Sequence, residues 1–443
     1  MGLTSAVREM GRRNFLKAVS GASALAALGT TAIVRGPTRG GPIRAALIGN
    51  GKQGKVLRES IDTDLMNLVA ICDIRPGSKT DMSEAAGMHW HQDWRQMLRS
   101  ERVDAVLIAT PLCTHSEIAA GCLQAGTHVF CEPAMSMDIA GCNQMIRAAQ
   151  SSKRLLHIGY QEYYEPLYWA AYHNIVKQGL LGDIYTVEAV SHSYSSGRVK
   201  TAADAANFDP RPWGYASLEE LLNWRHYRRY SLGLVADWGG PLVSQTNWFL
   251  DAVPSGVQAK GGIYSYRDGR DTDDHVYATL EYPNGRTATI SLIQSNGFEG
   301  SYTRILGTKG TLIISKGEAL LFTEEDSRST AVGIAKVNST QPVLTTSASR
   351  NEEAQSHALL ASGSKAGQSN GVEAYQREIA GFCGAIRRGA PLRSNPAHGL
   401  DVVRTCVAID DQIQKNKKAD LQQPQVVNGL TENRVADCQI QIA

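Results

Sequence analysis

Short apolar runs alternate with helical patterns in the stretch that follows residue 42. Such runs are typical of strands that are buried on both faces of a sheet. They predict strands at residues 45–48, 68–72, 103–109, 128–131 and 155–159. Helical patterns between them predict helices at residues 55–60, 116–125 and 136–151. This alternation predicts a doubly wound parallel sheet, in which ligands bind outside the carboxyl ends of the strands.

The pattern changes after Gly159 to longer segments in which apolar and polar residues alternate. Strands are predicted at residues 184–194, 258–266, 275–282, 287–295, 302–307 and 311–315. This period is typical of an antiparallel sheet with one solvated or interfacial face. Helices are predicted at residues 166–178, 235–251, 375–388 and 397–417. The predicted fold class is α/β, with a parallel doubly wound domain at residues 42–160. A C-terminal α/β domain with a large, mostly antiparallel open sheet follows at residues 161–323 and 372–421.

Two further segments lack a regular period. Residues 207–230 are aromatic and basic, and we predict a loop over the site. Residues 324–371 are rich in Ser, Thr, Ala and Gln. That composition predicts a low-complexity insertion that is extended or partly disordered.

A G-x-G-x-x-G motif formed by Gly49, Gly51 and Gly54 joins the first predicted strand to the first predicted helix. The first glycine permits a tight turn, the second lets a pyrophosphate approach the backbone, and the third lets helix and strand pack closely. The helix N-terminus then offers N–H groups to a phosphate. Because strand, helix and second strand follow in register, the motif predicts dinucleotide binding rather than a glycine-rich turn. Lys52 and Gln53 lie inside the motif and are predicted cofactor contacts.

Asp73 ends the second predicted strand and is placed to accept hydrogen bonds from ribose hydroxyls. Its carboxylate favours NAD, since it repels a 2′-phosphate. Arg75 lies two residues further on and can accommodate that phosphate, so NADP remains open.

The N-terminal segment 1–34 has the pattern of a twin-arginine export signal. Arg12 and Arg13 precede an apolar stretch at residues 18–34 that is short and Ala/Gly-rich for a membrane span. An amphipathic N-terminal helix is the alternative. We expect the twin-arginine machinery to export the folded protein to the periplasm with its nucleotide loaded, and we expect no stable membrane span after processing.

The charge and the cysteine content of the chain limit the partners and ligands that we expect. The 443 residues carry 45 basic and 43 acidic side chains, a net charge of +2, which gives no argument for a nucleic acid partner. The eight cysteines form no C-x-x-C, and no His or Cys cluster has zinc spacing, so no metal site is predicted.

The chain resembles the Gfo/Idh/MocA oxidoreductase family from about residue 42 to residue 421. The resemblance rests on the glycine motif and on six further motifs. These are AICD, which ends at Asp73, ATPLCTH, which contains Thr110, FCEPAMS, which contains Glu132, IGYQ, which ends at Gln161, VADWGG, which contains Asp237, and GTKGTL, which begins at Gly307. It implies an N-terminal Rossmann domain, a C-terminal domain with an open sheet, NAD or NADP, and sugar-like polyol substrates. It also implies a homo-oligomer that forms through the C-terminal sheet.

Three positions depart from the family pattern. The family strand end E-K-P carries a lysine beside the reacting hydroxyl, and Pro133 stands in its place. In the motif D-x-G-x-H-x-x-D, Asp237 is retained, but Pro241 replaces the histidine and Ser244 replaces the second acid. Both usual suppliers of a proton-transfer group are therefore absent, although the nucleotide loop is intact.

Other side chains are candidates to rebuild the site. Tyr163 and Asp237 are the predicted catalytic residues. The predicted cofactor contacts beyond the glycine motif, Asp73 and Arg75 are Thr110, Pro111, His115, Glu132 and Gln161. The predicted substrate contacts are Tyr160, Tyr164, His192, Trp224 and Arg225. The alternatives are structural histidines, tyrosines that pack between domains, a helix N-cap role for Asp237, a hinge role for Glu132 and a basic loop edge at residues 224–229.

Three functions follow from this resemblance and its departures. The first is an NAD(P)-dependent oxidoreductase that acts on a sugar or cyclitol-like hydroxyl with a tightly held cofactor recycled in place. The second is an NAD-dependent enzyme of glycosidase type, which oxidises its substrate transiently. The third is a nucleotide-binding scaffold without activity.

Overall fold

The computed structural model describes residues 41–77, 87–199, 208–315, 318–324, 333–338, 344–347 and 372–418. The predicted export signal at residues 1–34 lies outside these described residues, as does most of the segment 324–371.

The first sheet has six strands, all parallel, in the order β3-β2-β1-β4-β5-β6. The strands are β1 Ile43–Ile48, β2 Met66–Cys72, β3 His89–His91, β4 Ala105–Ile108, β5 His128–Cys131 and β6 Leu156–Ile158. Every residue of β4 is buried, as expected for a strand covered on both faces. This order is that of a dinucleotide-binding sheet and confirms the predicted parallel doubly wound fold.

Four helices cover this sheet: α1 Lys52–Glu59, α2 Trp94–Ser100, α3 His115–Gln124 and α4 Ile139–Ser152. Helix α1 begins three residues before its predicted start, so the glycine motif ends inside the helix. Helix α2 and strand β3 were not predicted, because both are short. The Asp93 side chain accepts a hydrogen bond of 2.9 Å from the Arg95 N–H and thereby caps α2.

The second sheet has nine strands in the order β15-β14-β13-β12-β11-β7-β10-β9-β8. They are β7 Ile184–Tyr194, β8 Gly256–Gly262, β9 His275–Glu281, β10 Thr287–Ile293, β11 Ser295–Gly307, β12 Gly310–Ser315, β13 Glu318–Thr323, β14 Gly333–Asn338 and β15 Leu344–Ser347. Only β7 and β10 pair in parallel, which confirms a large, mostly antiparallel sheet. Strands β14 and β15 lie within the segment predicted to be an insertion.

The remaining helices are α5 Pro166–Ala171, α6 Leu218–Leu222, α7 Gly240–Leu250, α8 Val372–Arg388 and α9 Pro396–Lys418. Two π-helical turns, Tyr172–Val176 and Val235–Gly239, follow α5 and precede α7. Each predicted helix in these regions is therefore a helix joined to a π-helical turn. The predicted loop at residues 207–230 contains α6 and two short 3₁₀ turns.

Helices α8 and α9 both pack against the first domain, and α9 also packs against β8 of the second sheet. Ile379, Phe382 and Cys383 of α8 are buried in a cluster with residues of β1 and β4. In α9, the Cys406 Sγ donates to the Val235 carbonyl at 3.5 Å, and Gly399 lies against Ile158. The π-helical turn that carries Asp237 is thereby held near the carboxyl ends of the first sheet. Among the described residues, no helix has both the length and the apolar character that a membrane span requires.

Candidate active site

The three glycines of the first turn meet different surroundings. A Cβ on Gly49, whose φ is 95°, would lie 2.5 Å from the Ala109 carbonyl oxygen. A Cβ on Gly54 would lie 1.9 Å from the Gly49 carbonyl oxygen. At Gly51 the nearest atom is a guanidinium nitrogen of Arg75, 4.0 Å away. Gly49 and Gly54 are therefore required by packing, whereas Gly51 keeps the surface open for a ligand to approach the backbone.

The N-terminus of α1 faces this open surface. Gly51 occupies the N-cap position and supplies no side-chain cap, and the first turn carries no acidic residue. Lys52, the first residue of the helix, is exposed. Uncapped N–H groups, the positive end of the helix dipole and a lysine suit a pyrophosphate.

Asp73 lies at the carboxyl end of β2, beside the same loop. One carboxylate oxygen accepts from the Asn50 N–H at 2.9 Å, and the other accepts from the Arg75 N–H at 2.9 Å. The Arg75 guanidinium also donates to both oxygens at 3.2 Å. This pairing holds an acid where a ribose would lie and partly neutralises it, so the residues present fit a nicotinamide dinucleotide.

The end of β4 is tied to the end of β5 by His115. Its Nε2 lies 2.9 Å from the Thr110 carbonyl oxygen, and its Nδ1 lies 2.9 Å from the Ala134 carbonyl oxygen. Burial lowers the pKa of His115. The Thr114 hydroxyl donates to the Thr110 hydroxyl and to the Pro111 carbonyl, both at 2.8 Å. Since both ring nitrogens of His115 contact the backbone, this residue positions the loop that would border a cofactor.

Glu132 follows β5 and is buried with one carboxylate oxygen lacking a hydrogen-bond partner. Burial raises its pKa well above the usual range, the neighbouring Glu378 raises it further, and the nearby side chains of Gln53, Arg225 and Tyr375 oppose the shift. The Gln161 carbonyl oxygen is also buried without a partner. Such orphaned polar atoms at strand ends are expected where a ligand completes the site.

Asp237 lies inside the π-helical turn Val235–Gly239 and pairs with Arg225 of the preceding segment. Its carboxylate oxygen lies 3.0 Å from Arg225 Nε. The Asp237 side chain is 17% exposed, and burial raises its pKa while Arg225 opposes that shift. The N-cap residue of this turn is Leu234, so the alternative of an N-cap role for Asp237 is wrong.

The side chains of Trp224 and Arg225 stack on each other. The guanidinium carbon of Arg225 lies 4.1 Å from the centre of the Trp224 ring. The structure therefore brings Arg225, Trp224 and Asp237 together.

The segment 208–230 covers the ends of β2 and β4. Tyr215, Leu221 and Tyr230 form a buried cluster against which Ile74 and Cys113 pack. The Cys113 N–H donates to the Tyr230 carbonyl at 3.2 Å. Because Ile74 follows Asp73 directly, the cluster lies beside the predicted ribose site.

Tyr160 is fully buried, and its hydroxyl has no hydrogen-bond partner. This hydroxyl lies 4.0 Å from the point where a Cβ on Gly240 would be. It therefore faces the first residue of α7, next to the turn that carries Asp237.

Tyr163 faces a different part of the fold. Its ring stacks on Trp248 at 4.4 Å, and its hydroxyl lies 2.8 Å from Nε2 of His398. Tyr163 therefore packs on helix α7 at Trp248, 11 residues beyond Asp237. The partner of its hydroxyl is His398, whereas the partner of Asp237 is Arg225.

His398 was not among the candidates. It lies in the first turn of α9, and its Nε2 is also 2.9 Å from the Ser244 hydroxyl oxygen. Ser244 is the residue that replaces the second acid of the D-x-G-x-H-x-x-D motif. Nothing in the local sequence around His398 signals this contact, which joins residues more than 150 positions apart.

Tyr164 and His192 lie away from Asp237. The Tyr164 hydroxyl accepts from the Arg393 N–H at 3.3 Å, and its ring packs against Gly381 of α8. His192 contacts the Ser291 hydroxyl at 2.8 Å on the second sheet. Because Val187 and Ala189 of β7 point into the core, alternation places His192 on the opposite, outer face. The structure therefore does not bring these two predicted substrate contacts to the site.

Comparison with protein families assigns both halves of the chain. Residues 43–160 match the oxidoreductase family with an NAD-binding Rossmann fold, GFO_IDH_MocA. Residues 169–313 match the GFO/IDH/MocA C-terminal domain. Together these two matches span more than half of the chain.

Individual relatives have different activities. The chain is 28% identical over 343 residues to a glycosyl hydrolase family 109 protein from Stenotrophomonas maltophilia, across 68% of this chain and 73% of the relative. It is 30% identical over 125 residues to the myo-inositol 2-dehydrogenase of Thermotoga maritima, across 28% of this chain and 37% of the relative. Its fold matches that of a levoglucosan dehydrogenase solved with NADH and levoglucosan, with a TM-score of 0.66 and 18% identity, over 84% of this chain and 98% of that one.

Proposed function

Because the chain belongs to the Gfo/Idh/MocA oxidoreductase family, we propose that it oxidises or reduces a sugar or cyclitol-like hydroxyl with a tightly held NAD. The observation that carries this proposal is the Asp237–Arg225 pair. It places an acid–base group next to the carboxyl ends of the first sheet, where the family lysine and histidine are missing.

The cofactor site is built from residues that fit a dinucleotide. Gly49, Gly51 and Gly54 would hold the pyrophosphate, with Lys52 and the N-terminus of α1 beside it, and Asp73 would bind the ribose. Thr110, Pro111, Glu132 and Gln161 would border the nicotinamide, with His115 fixing their backbone. When bound, NAD supplies hydride exchange with the substrate carbon.

Asp237 is the group we assign to the proton. Proton transfer from a hydroxyl needs a titratable side chain within hydrogen-bond reach and with a pKa moved toward the working pH. Burial raises the pKa of Asp237, and 17% of its side chain remains exposed. The Trp224 ring stacks on the Arg225 guanidinium and holds it beside Asp237.

A glycosidase-type reaction is the second candidate. It is favoured by the relative described as a glycosyl hydrolase, which aligns over 68% of this chain. Such a reaction also uses the nucleotide, but it releases an aglycone without net oxidation. Analysis of the products therefore separates it from a net oxidoreductase.

A nucleotide-binding scaffold is the third candidate, and Pro133, Pro241 and Ser244 favour it because three usual active-site positions have changed together. The intact glycine motif and the Asp237–Arg225 pair argue for an enzyme. A scaffold that does not bind a nucleotide needs no open surface at Gly51, and a scaffold of either kind needs no acid fixed near the strand ends.

The predicted twin-arginine signal adds a proposal about location. An exported enzyme leaves the cytoplasmic NAD pool, so its cofactor must be held tightly and recycled in place by a second substrate or by the same one. Fusing residues 1–34 to a reporter tests export. We expect the reporter in the periplasm, and retention in the cytoplasm when Arg12 and Arg13 are both changed to Lys. Export that survives the double change would contradict the signal.

We also propose a homo-oligomer formed through the outer face of the second sheet. Tyr277 of β9 is 50% exposed there, between buried neighbours that point inward. Light scattering of the purified protein with and without Tyr277→Glu tests this surface. An unchanged mass would exclude this part of the sheet from the interface.

The function is tested by oxidation of a panel of polyols, followed through the absorbance of reduced nicotinamide. We expect Asp237→Asn to lower turnover by about 10²–10⁴-fold, the usual contribution of a general acid or base. Asp251→Asn, at the other end of α7, is the matched control and should leave turnover unchanged. Absence of any signal from the wild-type protein would contradict the net oxidoreductase and leave the glycosidase type and the scaffold, which release of an aglycone separates.

A further inference from the structure

The two residues that follow β5, Glu132 and Pro133, carry no positive charge. Pro133 has neither an N–H nor an ionisable side chain, and it follows the buried acid Glu132. A reacting hydroxyl that becomes an alkoxide-like oxygen needs a positive charge or hydrogen-bond donors placed before the reaction begins.

Arg225 brings a cation to this place from the second domain. Its Nε lies 3.0 Å from Asp237, and its side chain is 53% exposed. Its charge also opposes the pKa increase that burial and Glu378 produce in Glu132. At His115, where burial lowers the pKa, the Arg225 charge lowers it further. The contact with Asp237 places the guanidinium beside the π-helical turn. The bond from the Cys113 N–H to the Tyr230 carbonyl places the segment that carries Arg225 against the loop after β4.

Several contacts fix the position of Arg225. The Trp224 ring lies under the guanidinium at 4.1 Å. The Thr272 hydroxyl donates to the Arg225 carbonyl at 3.1 Å. The segment itself is held on the first sheet by the bond from the Cys113 N–H to the Tyr230 carbonyl. The Asp237 carboxylate and the Trp224 ring thus hold the guanidinium, and the Thr272 bond holds the Arg225 backbone, so the cation is in place before substrate binds, as electrostatic stabilisation requires.

We propose that Arg225 supplies, from a different element of the fold, the positive charge that Pro133 cannot provide, and that it holds Asp237 ionised as the proton acceptor. This inference rests on the proposed function. A single lysine combines charge stabilisation with proton transfer, whereas here Arg225 has the first role and Asp237 has the second. Arg225 stabilises the developing charge on the substrate oxygen and transfers no proton, since a guanidinium does not deprotonate in proteins.

The division predicts how the reaction depends on pH. Asp237 governs the acidic limb, because its carboxylate must be ionised to accept a proton. Arg225 contacts the Asp237 carboxylate, and its charge also acts on Glu132 and His115. A guanidinium does not deprotonate in proteins. We therefore expect the pH profile of wild-type turnover to lack the decrease at alkaline pH that deprotonation of a lysine would cause.

The test compares Arg225→Lys and Arg225→Met with Arg229→Met as a matched control. Arg229 is 57% exposed in the same segment, pairs with Glu220 at 3.4 Å and lies over the Tyr230 ring, away from Asp237. The first measurement is the pH titration of the Asp237 carboxyl carbon by NMR, which does not depend on turnover. In Arg225→Met we expect the Asp237 pKa to rise by about 1–3 units, the usual effect of removing a neighbouring opposite charge. In Arg229→Met it should not move.

The second measurement is the pH profile of turnover. Arg225→Met should lose about 10²–10³-fold, the usual loss on removing one preorganised donor. Arg225→Lys should retain most turnover at neutral pH and lose it as pH approaches about 10, where a lysine deprotonates.

An unmoved Asp237 pKa in Arg225→Met, or identical pH profiles for wild type and Arg225→Lys, would overturn the inference. If the wild-type protein turns over no polyol, the proposed function fails. The NMR titration still reports whether Arg225 controls Asp237 in that case, so the two failures are distinguishable.

Discussion

The Nε2 atom of His398 lies 2.8 Å from the hydroxyl oxygen of Tyr163, although 235 positions separate the two residues in sequence. The same nitrogen contacts the Ser244 hydroxyl, so a single histidine joins the turn that follows β6, helix α7 and helix α9. The contact gives a partner to the tyrosine hydroxyl that the sequence suggested for catalysis. It also explains how a serine is accommodated where the family motif has an acid.

Tyr163→Phe should therefore lower stability more than turnover. Loss of the buried hydroxyl leaves His398 with one partner fewer, and the expected cost is about 1–2 kcal/mol of the free energy of unfolding. Urea unfolding and polyol turnover are measured on the same preparation. Tyr282→Phe is the matched control, because the Tyr282 hydroxyl donates to Asn247 at 2.7 Å and does not contact His398. A large loss of turnover in Tyr163→Phe alone would assign the hydroxyl to the chemistry.

His398 should also make stability sensitive to acid. Burial lowers its pKa from 6.5 to about 4. The unfolded chain therefore binds a proton at His398 between these two values that the folded chain does not bind. The stability contributed by His398 is complete above pH 6.5 and is lost as pH falls toward 4.

The measurement is the free energy of unfolding of wild type and His398→Asn from pH 7 to pH 4. His157 and His226, whose pKa values burial also lowers, and Glu132 and Glu378, whose pKa values it raises, are present in both proteins. Their effects cancel in the difference between the two curves. We expect the wild type to lose more stability on acidification than the variant. Parallel curves would contradict the low pKa of His398.

Substitutions in the glycine motif distinguish a loss of cofactor binding from a loss of folding stability. Gly51→Ala has room for its methyl group and adopts an allowed backbone conformation, so the protein should fold normally and lose affinity for NAD. Gly54→Ala places a methyl group against the Gly49 carbonyl and should lower both stability and binding. Thermal unfolding with and without NAD measures both. Full retention of NAD binding by Gly51→Ala would place the cofactor elsewhere.

The Asp73–Arg75 pair should decide between NAD and NADP. Removing a charged partner of a hydrogen bond costs about 1.5–3 kcal/mol, so Asp73→Ala should weaken NAD binding by about 10- to 100-fold. NADP should suffer less, because Arg75 is then released toward the 2′-phosphate. Calorimetric titration of both nucleotides into the nucleotide-free protein measures the ratio. An unchanged preference would mean that Asp73 does not contact the ribose.

The sequence predicted the larger elements well because their apolar patterns are strong. Strand β5 has the predicted bounds, His128–Cys131, and β7 has its predicted bounds, Ile184–Tyr194. Strand β3 and helix α2 were missed because a three-residue strand and a seven-residue helix carry little periodicity. The π-helical turns were missed because they share the apolar period of the helices they extend.

The site was less predictable than the fold. The glycine motif and Asp73 are local, so their arrangement follows from the sequence. The contacts of Asp237 with Arg225 and of Ser244 with His398 depend on how separate elements pack, and no local pattern encodes them. The placement of His192 was readable in principle, because buried Val187 and Ala189 fix the outer face of β7.

The central claim is that a substrate hydride reaches a nicotinamide held by this chain and that Asp237 accepts the accompanying proton. The most direct measurement is label transfer from myo-inositol, glucose and levoglucosan deuterated at their carbinol carbons, with the nicotinamide recovered from the protein and examined by mass spectrometry. We predict deuterium in the nicotinamide recovered from wild type and Asp251→Asn, and little or none from Asp237→Asn over the same time. Equal labelling of Asp237→Asn, or no label in any of the three proteins, would contradict the account.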